Sequence, residues 1–168
     1  MRMGRGLAVA LAVLAMGVGA ARHGVAQDFG DFDAKPQTQG FVVYAAEPQT
    51  LSAGKPNVVE LNFRVIDGLH VNSHTPKSEL LIPTTLTLDA AQGVKVGSAV
   101  YPAGTSYSFS ASPGEKLDVY TGAFTVKVPV TAQAGARTLA GKLRYQACDH
   151  EACYPPKTLP VEVAITVK

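Results

Sequence analysis

The sequence predicts an all-β protein, an immunoglobulin-like β-sandwich, and three observations carry that expectation. Apolar side chains alternate with polar ones over several short runs, the period-2 mark of half-buried strands. Turn residues separate those runs. After residue 27 no stretch sustains a capped stripe at the helical period of 3.6 residues, so the chain offers strands and no convincing helix.

The elements follow in order. Arg2 and Arg5 precede an apolar run from Leu7 to Ala20, and small residues lead to Gly24-Val25-Ala26 before Gln27, so residues 1–26 read as a signal peptide. No cysteine closes that run to take a lipid. No later stretch approaches the roughly 18 apolar residues of a membrane span, so a soluble, exported product is expected. Residues 27–39, polar and acidic with Gly30 and Pro36, read as a flexible leader, and residues 40–168 as one sandwich domain. The clearest strand is Asn57 to Ile66, where Val59, Leu61, Phe63 and Val65 alternate with Glu60, Asn62 and Arg64. The pattern returns in Thr85 to Asp89, in Phe124 to Val130, in Leu139 to Tyr145, and at Val161, Val163, Ile165 and Val167. Asp67-Gly68, Ser112-Pro113-Gly114 and Ala134-Gly135 supply the turns. Tyr101 to Lys116 reads as a long irregular loop with Tyr107 and Phe109 near its tip, and long loops in compact domains are often functional.

Charge narrows the partners. The chain has 15 Lys and Arg against 13 Asp and Glu. Losing Arg2, Arg5 and Arg22 with the signal leaves 12 basic side chains against the same 13 acidic ones, a net of −1. The basic footprint of a nucleic-acid or anionic-membrane binder is missing.

The only two cysteines stand in Tyr145-Gln146-Ala147-Cys148-Asp149-His150-Glu151-Ala152-Cys153-Tyr154-Pro155-Pro156. If the flanks pair as a hairpin, the cysteines sit opposite each other at the cross-strand Cα separation of about 4.5 to 5.5 Å, within reach of a disulfide. Such a bridge closes a very short ring and contributes roughly 2 kcal/mol on a chain-entropy argument, which makes it a poor staple. Pro155 and Pro156 cannot continue a ladder, so the chain must leave the sheet there, with strand character resuming near Leu159 and the cysteines at a sheet margin.

Three chemistries compete for this stretch. Thiol–disulfide exchange needs an accessible pair. His150, Arg144 and Lys157 would lower a thiol pKa while Asp149 and Glu151 would raise it, so charge alone favours no direction. A purely structural lock on the loop is the competing reading. A metal reading would recruit Cys148, His150 and Cys153 with His70 and His74, but the spacing matches no standard zinc pattern. On one extended strand His70 and His74 would stand about 13 Å apart. Hydrolytic motifs are lacking after residue 27.

Tyr145-Gln146-Ala147-Cys148 and, four residues on, Cys153-Tyr154-Pro155-Pro156 closely resemble the active-site segment of the N-terminal periplasmic domain of the thiol:disulfide interchange protein DsbD, the disulfide bond corrector family. Asp67-Gly68-Leu69-His70-Val71-Asn72 with Pro76, Ile82-Pro83-Thr84 and Val119-Tyr120 follow the same family order, and the likeness runs from about Phe41 to Lys168. The resemblance implies an immunoglobulin-like fold in the periplasm whose Cys148 and Cys153 shuttle between dithiol and disulfide. It implies a thioredoxin-like redox protein as electron donor and exported thiol-disulfide proteins as acceptors. Cys153 would form the mixed disulfide, and Cys148 would resolve it. An aromatic cap loop shields the pair in the family, which assigns that role to the stretch bearing Tyr107 and Phe109. His70 and Asn72 fall where some members place tyrosines, and Tyr145 and Tyr154 flank the cysteines. Full-length DsbD carries a membrane conduit and a thioredoxin-like domain beyond this one, so a donor from outside this chain is expected.

The resulting expectation is a thiol:disulfide oxidoreductase domain that transfers electrons with no cofactor and no metal. The alternative is a non-catalytic immunoglobulin-like module that binds a protein or copper and keeps the disulfide loop as structure.

Overall fold

Strands of alternating side chains build two facing sheets, with their apolar sides turned toward each other. The first sheet contains β1 (Gln37–Thr38), β2 (Val42–Ala45), β4 (Asn57–Val65), β7 (Val94–Val96) and β10 (Ala123–Ala132), in the spatial order β1-β2-β4-β10-β7. The second contains β3 (Gln49–Leu51), β6 (Thr85–Leu88), β11 (Gly135–Tyr145) and β13 (Lys157–Val167), in the order β3-β13-β11-β6. Neighbours in both sheets are antiparallel except β3 and β13, which run parallel. This computed structural model describes residues 37–38, 40–108, 114 and 116–168. The chain divides into units 1–32 and 33–168, and the described residues lie in the second. The signal peptide, most of the leader and Phe109 fall outside them.

The core is where the period-2 pattern puts it. Val59, Leu61, Phe63 and Val65 of β4, Val126 and Val128 of β10, Leu139 and Leu143 of β11, and Leu159 to Val167 at alternate positions of β13 belong to one buried cluster. The Tyr44 hydroxyl crosses between layers and donates to the Glu162 carbonyl at 3.1 Å. Among the described residues the protein is all strand and turn, an immunoglobulin-like sandwich. Gly141 of β11 is required by close approach: a Cβ there would run into the Thr87 carbonyl and Leu88 of β6.

A third sheet lies at one end, with β5 (His70–Asn72), β8 (Thr105–Ser108), β9 (Lys116–Tyr120) and β12 (Ala147–Cys148) in the order β12-β5-β9-β8. One of its faces feeds the main core through Val71, Tyr120 and Ala147. The opposite face carries His70, Asn72, Val119 and Cys148, all buried but outside that cluster.

One expectation needs correction. The stretch from Tyr101 to Lys116 is not irregular throughout, because Thr105–Ser108 pair with Lys116–Val119 as a hairpin. Thr-Ser-Tyr-Ser on an edge strand shows no apolar alternation, since only Tyr107 turns inward. Strand character resumes near Leu159, beginning at Lys157, because Lys157 and Thr158 still find partners in Tyr145 and Arg144.

Candidate functional site

β11 and β13 pair along their whole length, Gly135–Tyr145 against Lys157–Val167, and residues 146–156 close that long hairpin. The closing segment leaves the second sheet at once. Ala147 and Cys148 pair instead with Val71 and His70 of β5, so the cysteine loop is held by two sheets. Within it the Tyr154 N–H donates to the Ala147 carbonyl at 2.8 Å, and the Asp149 N–H donates to the Ala152 carbonyl at 3.0 Å. Cys148 and Cys153 therefore face each other as a non-hydrogen-bonded pair, the closer kind.

The two sulfurs are bonded, and the Cα atoms stand 3.9 Å apart. That is nearer than the separation of about 4.5 to 5.5 Å expected of cross-strand partners. The cysteines are not equivalent. Cys148 is 0% exposed on the face of the third sheet opposite the one that feeds the main core, whereas Cys153 is exposed on the other arm of the hairpin.

Asp149 shapes the loop tip. Its Oδ1 accepts from the Glu151 and Ala152 N–H groups, both at 2.8 Å, an Asx turn, and its Oδ2 accepts from the Tyr154 hydroxyl at 2.7 Å. The Tyr154 bond first, then those from Ala152 and Glu151, hold the Asp149 carboxyl down at about 2, and the carboxylate in turn raises the Tyr154 phenol. Tyr154 also packs on Phe41 at 4.6 Å between ring centroids, with the Lys157 ammonium 5.5 Å above the Phe41 ring. The Phe41 N–H donates to the buried Tyr145 hydroxyl at 3.2 Å, which ties the start of the domain to the base of the loop.

Gln146 is the polar anchor. Its Oε1 accepts from Asn72 Nδ2 at 3.1 Å and from the Ile82 N–H at 3.3 Å, while its Nε2 donates to the Tyr154 carbonyl at 3.3 Å. Asn72 Nδ2 donates to the Ile82 carbonyl as well, and the Thr84 hydroxyl donates to the Asn72 carbonyl at 2.6 Å. The cysteine hairpin, β5 and the 82–84 segment thus form one network.

His70 stands directly across the ladder from Cys148, 1% exposed, with the Tyr107 ring 4.1 Å from its own between centroids. Burial lowers its pKa below the ordinary 6.5, and the Asp149 carboxylate opposes that shift. His74 lies elsewhere: it stacks on Tyr101 at 3.7 Å, and its Nδ1 is 3.0 Å from the Thr84 carbonyl oxygen. His150 is exposed beside Glu151, 3.5 Å away. Among the described residues no three His, Cys, Asp or Glu side chains converge as metal ligands.

The structure thus gathers Cys148, Cys153, His70, Asn72, Tyr107, Tyr145 and Tyr154 around one hairpin, while Phe109 falls outside the described residues. Sequence reasoning took Asp149 only as a charge and Gln146 only as part of a motif. An Asp opening a four-residue loop is itself a turn signal, and it was available.

A strand scaffold presenting one buried and one exposed cysteine of a disulfide defines the class, a β-domain built around a cysteine pair. The family model described as "Thiol:disulfide interchange protein DsbD, N-terminal" matches residues 39–164, which is 126 of the 168 residues, and the chain belongs to that family. Among solved structures it is similar to the DsbD N-terminal domain of Neisseria meningitidis in the reduced form, at 20% identity and a TM-score of 0.46 over 68% of this chain and 82% of that one. It is also similar to the N-terminal periplasmic domain of ScsB from Proteus mirabilis, at 15% identity and a TM-score of 0.49 over 73% of this chain and 47% of that one. Likeness at this level carries no functional argument, and membership rests on the family model. No curated protein matches the chain. No helix among the described residues is long and apolar enough to cross a membrane.

Proposed function

We propose that this domain is an exported thiol:disulfide exchange protein that takes electrons from a thioredoxin-like donor and delivers them to extracytoplasmic proteins through Cys148 and Cys153. The observation that carries the reading is the unequal exposure of the two cysteines. In the reduced state Cys153 attacks a partner disulfide, forming a mixed disulfide and releasing one partner thiolate. Cys148 then attacks the Cys153 sulfur, closing the intramolecular bond and releasing the second. A donor dithiol restores the starting state by the reverse exchange. Tyr107, with Phe109, caps the pair until a partner docks, while Asn72, Tyr145 and Tyr154 hold the hairpin in place. Residues 1–26 direct export to the periplasm, and 27–39 form the leader. The ring that the bond closes contributes only about 2 kcal/mol, which favours exchange over a structural lock.

A Cys148→Ala variant tests this. It should accumulate partners disulfide-linked to Cys153, released by reductant and absent from a Cys148→Ala/Cys153→Ala control. A bond that resists reduction in glutathione buffers poised well below about −300 mV, with nothing trapped, would instead support the structural alternative.

A further inference from the structure

The His70 side chain is buried across the ladder from Cys148. We infer that the His70 imidazole is the base that takes the Cys148 thiol proton as Cys148 attacks Cys153. The inference deepens the exchange reading above and rests on it.

The geometry is that of a cross-strand pair. His70 and Cys148 are register partners on the same buried face of the third sheet, and such partners have Cβ atoms about 4.5 to 5.5 Å apart, within side-chain reach. A buried resolving thiol needs help. An ordinary thiol, with a pKa of about 8.5, is mostly protonated at neutral pH. The other candidates near it are unsuited. The Asp149 carboxyl is held at about 2 by three hydrogen bonds and is too acidic to accept a thiol proton. His150 is exposed and engaged with Glu151. His70 is neutral at neutral pH because burial lowers its pKa, so it is in the accepting form.

The step balances. Cys148 loses its proton to His70 and its sulfur attacks the Cys153 sulfur of the mixed disulfide. The bond between Cys153 and the partner breaks, the partner sulfur leaves as a thiolate, and the two cysteines are left oxidised. The imidazolium formed is stabilised by the Asp149 carboxylate. His70 also lines a cleft of about 360 Å³ with Asp67, Leu69 and Tyr107, through which the proton passes to water and the departing thiolate. Cys148, Asp149, Asp67 and Tyr107 are the titratable groups around it, and Tyr107 keeps the ring from bulk solvent.

The test follows the two chemical steps separately. Fully reduced protein is mixed with dithiobis(nitrobenzoate), whose thiolate product is coloured. Wild type should release a first equivalent at a rate set by reagent concentration, from Cys153, and a second at a rate independent of it, from Cys148. In His70→Gln the second phase should slow about tenfold at pH 7 while the first stays within about twofold, and added imidazole should restore part of the loss in His70→Ala. An unchanged second phase overturns the proposal. Wild type alone provides a measurement that needs no variant. Its second-phase rate should rise through an inflection below pH 6.5, as the imidazole loses its proton, and a rate that climbs with thiol ionisation alone overturns the proposal even if the variants do not fold. Failure of the exchange reading looks different, because wild type would then release no second equivalent.

Discussion

The sandwich core and the third sheet differ in one respect, that the third sheet adds buried polar side chains to its apolar ones. Between the two main sheets the cluster is aliphatic and aromatic, built from residues such as Leu61, Val126, Leu143 and Val163. The four buried polar residues among those described, His70, Asn72, Ser73 and Thr84, all lie on β5 or on the segments tied to it. Each fully buried Val or Leu contributes about 1.5–3 kcal/mol, so the core outweighs the small ring of the disulfide many times over. Apolar burial is thus concentrated between the sheets, and polar burial beside the cysteine hairpin at their end.

That contrast can be broken most directly from the core side. Leu143→Ala, at a fully buried position of β11, should cost about 2–5 kcal/mol in denaturant unfolding while leaving the exchange rate of the folded fraction unchanged. A loss of exchange without a loss of stability would show that the two regions are not separable. Replacing both cysteines with serine is the converse experiment. It should abolish exchange and lower stability by only about 2 kcal/mol, and a domain that no longer folds would mean that the hairpin staples the sandwich.

Titratable groups in the two regions are shifted in opposite directions. Tyr44 in the core has its phenol pushed up to about 12, chiefly by burial and then by the Glu47 and Glu162 charges. Folding therefore favours the neutral phenol. Its contribution is complete below pH 10 and is lost as pH rises toward 12, so phenolate absorbance should appear together with loss of the circular dichroism of the fold. Asp149 at the hairpin works the other way. With its carboxyl held at about 2, its contribution is present above the ordinary value of 3.8 and is lost as pH falls through 2. In Tyr154→Phe the Asp149 carboxyl should titrate nearer 3.8 by carbon NMR, because the largest of its three stabilising bonds is gone. No movement would mean that the backbone donors suffice. This is the smallest effect, local to the loop.

How much could be read beforehand varied with the number of covered faces. β4, β6, β10, β11 and β13 each bury one face, so their alternation was legible as strand. β5 buries all three of its residues and shows no alternation to find. β8 is a half-exposed edge whose Ser-Tyr-Ser resembles loop. The exit at Pro155 and Pro156 was legible because a missing N–H donor is a local property. The Gln146 network was not, since its partners Asn72 and Ile82 lie 74 and 64 positions away.

By itself the sequence determined the sandwich and the hairpin carrying the cysteines, because side-chain period and turn chemistry act over a few neighbouring residues. Only the tertiary structure decided that Cys148 is sealed and Cys153 open, and that His70 faces the sealed one. Those facts depend on which strand docks beside the loop, and burial of a single atom is set by chain segments far away along the sequence.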